Sequence, residues 1–514
     1  MRHNVSHSGM VYIVGAGPGD PGLVTLRGAE CLARADVVFY DYLVNTAILR
    51  HARPGAELVC LGHHSTGRAL PQEQLQAEMI RAARAGRCVV RLKGGDPDVF
   101  GRSAEELAAL REAGIAFETV PGITAALAAA AYAEIPLTHA EHCSAVALVT
   151  GHQRDAKSAP PLDYSRLARF PGPLVFYMGV RSAATWSAAL VRGGKPPDTP
   201  VAVVRRCSFS DQATYRCTLA TVAATIAAHR VAPPAVIVVG EVAGLVPATS
   251  WFTARPLAGT TVLVTRPRHQ AGGLYDRFRE LGAEVLVQPA IETVAPADWS
   301  AVDDALERLE HFHWVVFSSA NGVRFLLDRL VATGRDARSL GAARLAAIGP
   351  GTARELAQYH LQPDLVPGQF RAEALAEALH DEAPGRRFLL VRASRGREVL
   401  AERLRAAGAG VEQVVAYQSR DVERPEAAVA GALASGRIGW ITVTSSAIAR
   451  RLAALFGDDL KRTRLASISP ITSAVLGELG HPPAAEAEEY TMEGVVRAIL
   501  AAESSSQRPS ATAD

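Results

Sequence analysis

The chain has 514 residues, which at roughly 150 residues per domain implies about three or four domains rather than one core. Hydrophobic residues make up 48%, charged residues 21% and aromatic residues 6%, a composition with ample apolar surface to bury that excludes wholesale disorder, collagen and a disulfide scaffold. Lys+Arg 54 against Asp+Glu 52 leaves +2, too balanced for a chain whose main partner is a nucleic-acid backbone or an anionic membrane, so any acidic ligand must be met by local basic residues.

The N-terminus, MRHNVSHSGM, has no apolar h-region, and the most apolar stretch, 124–133, is mostly alanine and soon meets Glu134 and Pro136. Neither a signal peptide nor a membrane span is expected. The 6 cysteines are scattered with no Cys-x-x-Cys, which fits a reduced, cytosolic chain without structural zinc. From Val11 onward, short β-branched runs alternate with Ala/Leu/Glu/Arg stretches of helical character, which predicts an α/β fold of mainly parallel sheets with crossover helices. Strands are expected at 11–14, 37–40, 57–61, 87–92, 116–120, 145–149, 174–178, 201–205 and 236–239. Residues 244–259, GLVPATSWFTARPLAG, break the rhythm with prolines, glycines and no apolar period, and are read as a linker between a domain at 1–243 and the rest. The alternation restarts with strands at 261–265, 284–288, 314–318, 345–348, 388–392, 411–417, 440–444 and 465–468. HWVVFSSANGVRFLLDRL, from His313, and GWITVTSSAIARRLAAL, from Gly439, share one plan of strand, hydroxyl pair and helix, and AIGPGTARELAQYHL, from Ala347, echoes SISPITSAVLGELG, from Ser467. Two similar α/β lobes follow from that echo. Residues 504–514, SSSQRPSATAD, have nothing to bury and read as a disordered tail.

Three loops of the first half combine into a crevice. Gly15 to Gly22, GAGPGDPG, follows a buried-type strand and lets backbone amides approach a ligand, with prolines stiffening the turn. It has a crude likeness to a dinucleotide-binding loop with Asp36 or Asp41 as the ribose acid, but Pro18 stands where an amide is wanted and the third glycine comes too early. Arg91-Leu92-Lys93-Gly94-Gly95-Asp96-Pro97 caps a second strand and offers Asp96 as an acceptor for ribose hydroxyls or an ammonium. In VPGITA, Thr124 and Ala125 open a helix. Strand-end loops of one α/β unit enclose a pocket lined by backbone.

VGAGPGDPGLVTLRGAE, DVVFYDYLV, VVRLKGGDPDVFGRSAEEL, VPGITAALAAAAYAEIPLTH, LVFYMGV and PPAVIVVGEV, in that order, resemble uroporphyrinogen-III C-methyltransferases over the first half of the chain. The resemblance implies a two-lobed tetrapyrrole methylase fold that works as a homodimer with S-adenosylmethionine in the cleft. It places cofactor contacts on Pro18, Gly94, Gly95, Asp96, Val99, Thr124, Ala125 and Met178, and the proton acceptor on Asp41. Taken without the family, the preferred reading of Asp41 is a solvated carboxylate after a strand. The family's proton-donor lysine is replaced by His63 in LGHHSTGRAL, and a glycine near the expected adenine pocket by Cys207 in VRRCSF.

VLVTRPRHQAGGL, LGAEVLVQPAIE, WVVFSSANGVRFLL, LAAIGPGTARELA, FLLVRASRGREVLAERLRAAGAGVEQVVAYQS, WITVTSSAIARRL and YTMEGVVRAIL resemble uroporphyrinogen-III synthases over the second half. The resemblance implies lobe one at 260–289 plus 419–503, lobe two at 290–418, a two-stranded ladder between them near 288–291 and 417–420, and no cofactor. Thr265, Ser318, Ser319, Asn321, Thr352, Thr444, Ser445 and Ser446 follow strands and are candidates to hold substrate carboxylates, each equally readable as a helix cap. Tyr417 matches the family tyrosine that assists loss of the hydroxyl, with a core or interface role as the alternative. SISPIT has Ser469 where the family has glycine.

The product of one implied reaction is the substrate of the other. The expectation is a cytoplasmic bifunctional enzyme that cyclises hydroxymethylbilane to uroporphyrinogen III and methylates it twice to precorrin-2, for sirohaem or cobalamin. Arg91, Lys93, Arg266 and Arg392 are candidate contacts for the polycarboxylate ligands. The pairs His139/His142 and His311/His313 lack acidic or cysteine partners, so no metal is expected. Two other readings are a nicotinamide-dependent oxidoreductase using the Gly15 loop and a methyltransferase with a non-catalytic C-terminal binding module.

Overall fold

A computed structural model describes residues 9–62, 70–152, 162–396 and 398–506. The chain falls into two compact units, residues 1–260 with 278–284, and residues 261–277 with 285–514.

In the first unit, strands β1 (Val11–Gly15), β2 (Val37–Tyr40), β3 (Glu57–Cys60), β4 (Val89–Lys93) and β5 (Phe117–Val120) form a parallel sheet in the order β3-β2-β4-β1-β5. β1 and β4 are buried on nearly every residue, as strands covered on both faces are. Because β1 lies between β4 and β5, the loops that follow these three strands emerge side by side at one sheet edge.

The second sheet holds β6 (Ala147–Thr150), β7 (Leu174–Tyr177), β8 (Pro200–Arg205), β9 (Ala213–Thr218) and β10 (Ala235–Val239), in the order β6-β7-β10-β8-β9. Only β6 and β7 run parallel here; β10 is antiparallel to β7 and β8, and β8 to β9. This departs from the mainly parallel expectation because β8 and β9 are joined by a short hairpin, with Arg206 and Ser208 at positive φ, rather than by a crossover helix. Residues 244–259 are packed rather than open. Phe252 and Leu257 are buried, Trp251 Nε1 donates to the Ala131 carbonyl at 2.9 Å, and the Phe252 ring meets Tyr132 edge-on at 4.6 Å. Aromatic anchors without a helical period hold this segment, which is why it looked structureless as a pattern.

The second unit contains β11 (Thr261–Val264), β12 (Glu284–Val287), β13 (Ile291–Val294), β14 (Trp314–Phe317), β15 (Arg344–Ala347), β16 (Arg387–Ala393), β17 (Gly410–Asp421), β18 (Trp440–Val443), β19 (Arg464–Ser467) and β20 (Ala485–Glu486). They form two sheets, β12-β11-β18-β19-β20 and β13-β17-β16-β14-β15. The last four residues of β17 pair antiparallel with β13, from Ile291 opposite Asp421 to Val294 opposite Gln418. Just before this ladder the β16–β17 register shifts, so that Arg392 faces Val415 but Ala393 faces Tyr417. Such a bulge re-aims the side chain that follows it. The helix Met492–Ser506 runs past the expected start of the tail, with Ser504 and Ser505 hydroxyls donating to the Leu500 and Ala501 carbonyls at 2.9 Å.

Candidate functional site

In the first unit the three strand-end loops touch through their backbones. Gly17 and Gly95 exchange amide bonds, N–H to carbonyl, at 3.1 and 2.8 Å. Asp96 is spent on building this edge: Oδ1 accepts the Asp98 amide at 2.8 Å and Oδ2 the Gly122 amide at 2.9 Å, leaving a second lone pair on each oxygen for a ligand. Pro18, Gly94, Val99 and Ala125 lie half-buried along the same edge.

The loop beyond β7 joins from the second sheet. The Tyr177 hydroxyl lies 2.6 Å from Thr124 Oγ1 and accepts the Ala126 amide at 2.9 Å, so a tyrosine of β7 caps the helix Ala125–Tyr132. This orients its next neighbour, Met178, whose side chain is half exposed with φ at 55°. Trp186 Nε1, donating to the Gly179 carbonyl at 2.9 Å, holds the turn from the other side. On the β1 loop, Asp20 Oδ2 accepts from the Tyr132 hydroxyl at 2.8 Å while the Asp20 amide donates to Ser208 Oγ at 2.9 Å. Burial, reinforced by Asp20, pushes the Tyr132 hydroxyl well above its ordinary pKa. Cys207 is buried in the apolar cluster with Ala126, Ala129 and Tyr132, and burial pushes its thiol up to about 12.

Asp41 follows β2 at this edge, its Oδ1 accepting from Arg91 Nη2 at 2.6 Å. Arg91 and Lys93 do not project toward a ligand: both are buried and pair with Glu106. They are corrected from carboxylate contacts to structural cations. His63 lies outside the described residues.

In the second unit, the two repeats build matching helix starts. Ser319 Oγ accepts the Gly322 amide at 3.1 Å and Ser445 Oγ the Ile448 amide at 3.2 Å. Pro350 and Pro470 open the helices that follow β15 and β19. The Tyr417 hydroxyl is 2.9 Å from Ser319 Oγ and its ring stacks on Phe325, so this residue, only 6% exposed, has a core ring and a polar tip at the helix start. Asn321 Oδ1 lies 2.8 Å from His269 Nε2 and accepts from Gln270 Nε2 at 3.0 Å. Burial pulls the His269 pKa down, so its imidazole favours the neutral form. Two hydroxyls expected to meet substrate face inward instead: Thr265 donates to the Thr442 carbonyl at 2.6 Å, and Thr352 is buried in its helix. Arg392 is held by Glu398, Gln413 and the Ala393 and Gly396 carbonyls. Ser318 Oγ donates to the Val391 carbonyl at 3.0 Å, whereas Thr444 and Ser446 are half-buried beside the Ser445 cap.

Residues 10–223 match the tetrapyrrole (corrin/porphyrin) methylases, and residues 273–497 match the uroporphyrinogen-III synthase HemD family. A porphyrin biosynthesis protein HemD of Ruminiclostridium josui is 33% identical over 489 residues, 95% of this chain and 95% of that protein. The chain belongs to this family of methylase–synthase fusions. A uroporphyrinogen-III C-methyltransferase of Bacillus subtilis is 37% identical over 338 residues, 66% of this chain and 69% of that protein. A siroheme synthase of Sodalis glossinidius is 47% identical over 252 residues, 49% of this chain and 53% of its own length.

A methylase joined to a synthase makes the chain a bifunctional protein of tetrapyrrole biosynthesis, and the nicotinamide reading of the Gly15 loop is not favoured. Sequence patterns missed Tyr177, Asp20 and Tyr132 in the methylase half, all of which act across lobes. They also missed an acidic partner for His139 and His142: in the structure the ligand atoms of Glu141 and both histidines lie within 4.8 Å of one another, on the surface, and the Glu141 amide donates to His139 Nδ1 at 3.2 Å. In the synthase half, His313 Nδ1 accepts the Arg387 amide at 3.1 Å.

Proposed function

We propose that the synthase half cyclises hydroxymethylbilane to uroporphyrinogen III with inversion of the last pyrrole, and that the methylase half transfers two methyl groups from S-adenosylmethionine to that product, giving precorrin-2. The observation that carries the methylase reading is the close backbone packing of Gly15, Gly95 and Gly122 at one sheet edge, with a carboxylate, Asp41, on the same edge. Pro18, Gly94, Gly95, Asp96, Val99, Thr124, Ala125 and Met178 bind the donor, and the buried Cys207 lies behind them. An electron-rich pyrrole carbon takes the methyl as the carbon–sulfur bond breaks and the sulfur keeps the electron pair; the macrocycle cation then loses a proton to Asp41. The methylase half acts as a homodimer in the cytoplasm. All six cysteines are free, and among the described residues no helix is long and apolar enough to cross a membrane.

In the synthase half the hydroxyl departs as water with a proton from the Tyr417 hydroxyl, and the resulting delocalised cation closes the ring and releases a proton that restores the tyrosine. Folding the chain is therefore the main task. Helix-start amides and the hydroxyls of Ser318, Ser319, Thr444, Ser445 and Ser446, with Asn321, hold the carboxylates. Arg266 adds a cation without an ion-pair partner among the described residues: Nη2 donates to Gln270 Oε1 at 2.8 Å, Nη1 lies 2.7 Å from Met492 Sδ, and Nε is buried without a hydrogen bond. A half-buried guanidinium lacking a carboxylate is suited to receive one from a ligand. Arg266→Met is expected to raise KM for hydroxymethylbilane about tenfold, the lower end of a hydrogen bond to a charged group, with the methyl-transfer rate on supplied uroporphyrinogen III unchanged.

The test of the whole reading is to incubate the chain with hydroxymethylbilane, with and without S-adenosylmethionine, and to separate the isomers. Type III product and a gain of two methyls support it. Type I isomer alone, which forms spontaneously, removes the synthase and leaves a binding module in its place.

A further inference from the structure

Behind Asp41 lies a closed set of buried charges. Arg91 and Lys93 are two residues apart on β4, so their side chains leave the same face of the sheet. They are 4% and 3% exposed, and Glu106, on the helix Ser103–Glu112, has no exposed surface at all. Glu106 Oε1 accepts from Arg91 Nε at 3.1 Å and from Gln72 Nε2 at 3.1 Å, while Oε2 accepts from Lys93 Nζ at 3.0 Å. Arg91 Nη1 turns to the Leu92 carbonyl at 3.1 Å, which leaves Nη2 for Asp41 Oδ1 at 2.6 Å. Two cations and two carboxylates cancel, and only Asp41, with 30% of its side chain exposed, reaches solvent. A buried ion cluster adds little stability over well-packed apolar side chains, so stability alone does not account for this one.

We propose that Glu106 is a positioning residue for proton abstraction at Asp41. By clamping Arg91 at Nε and balancing Lys93, it fixes the guanidinium so that Nη2 occupies Oδ1 and Oδ2 is left to face the macrocycle. The inference rests on the reading of Asp41 as proton acceptor. Among the described residues, Arg91 and Lys93 from β4 and Tyr42 beside it interact with Asp41, Arg181 acts on Tyr42, and Glu106 lies behind the cations.

The charge balance supplies a signed test on the full chain. Glu106→Gln leaves one positive charge in excess and makes the carboxylate a weaker base. The acid limb of the methyl-transfer profile is expected to move down by about one pH unit, with the plateau rate down about tenfold and KM for S-adenosylmethionine unchanged. Lys93→Met leaves one negative charge in excess and is expected to move the limb up. The double variant restores neutrality and returns the limb toward its original position, a reversal that loss of fold does not produce. The positioning role is overturned if both single variants keep the limb in place while Asp41→Asn is inactive. If Asp41→Asn itself methylates normally, the proton-acceptor reading falls first.

Discussion

Gly122→Ala is expected to weaken S-adenosylmethionine binding about 10²-fold and to lower the stability of the methylase half by about 1–3 kcal/mol. A Cβ at Gly122 meets the Gly95 carbonyl oxygen at 2.3 Å and Gly15 Cα at 2.7 Å. All are backbone atoms of loops fixed by β1, β4 and β5, so no side chain can turn away. Restoring ordinary contact distances of about 3.5 Å requires the loops to part by roughly 1 Å. That displacement breaks the hydrogen bond from the Gly122 amide to Asp96 and misplaces the backbone amides at this edge. Titration calorimetry with S-adenosylmethionine and a denaturation curve check the two effects. Wild-type affinity in a folded variant places the donor elsewhere.

Much of this edge is legible in the sequence for one reason. The loops after β1 and β4 follow strands buried on nearly every residue, and a glycine pair at such a strand end marks close backbone approach. Where the signal is weaker, so is the reading. β9, ATYRCT, is an edge strand with half-buried positions, and β20 has two residues; neither carries an apolar run. The antiparallel pairing of β10 is set by neighbours in space, which periodicity within one segment does not encode.

The site residues divide in the same way. Tyr177 caps a helix that starts more than fifty positions before it, and Tyr132 bonds Asp20 across 112 positions, so no local spacing announces either. Arg91 and Lys93 read as ligand contacts because they adjoin a glycine loop, yet Glu106, 13 to 15 residues on, takes both inward. Thr265 and Ser319 look alike as hydroxyls after strands. Only packing decides that the first bonds to the Thr442 carbonyl inside its sheet while the second caps a helix and meets Tyr417.

Asp41→Asn is expected to slow methyl transfer by about 10²–10⁴-fold, the usual contribution of a positioned base, and to leave ring closure in the synthase half intact. The substitution keeps the size of the side chain, and the amide oxygen can still accept from Arg91 Nη2, so the Arg91–Glu106–Lys93 cluster keeps its geometry. What is lost is the capacity to take up the proton that the methylated macrocycle must release. Both activities are read from one sample: conversion of hydroxymethylbilane to the type III isomer serves as the folding control, and incorporation of methyl groups as the response. With the donor's affinity unchanged by calorimetry, a normal rate of isomer formation beside a collapsed rate of methylation assigns the proton step to Asp41. Equal loss of both points to unfolding, and equal retention of both moves the proton to another acceptor at the same sheet edge.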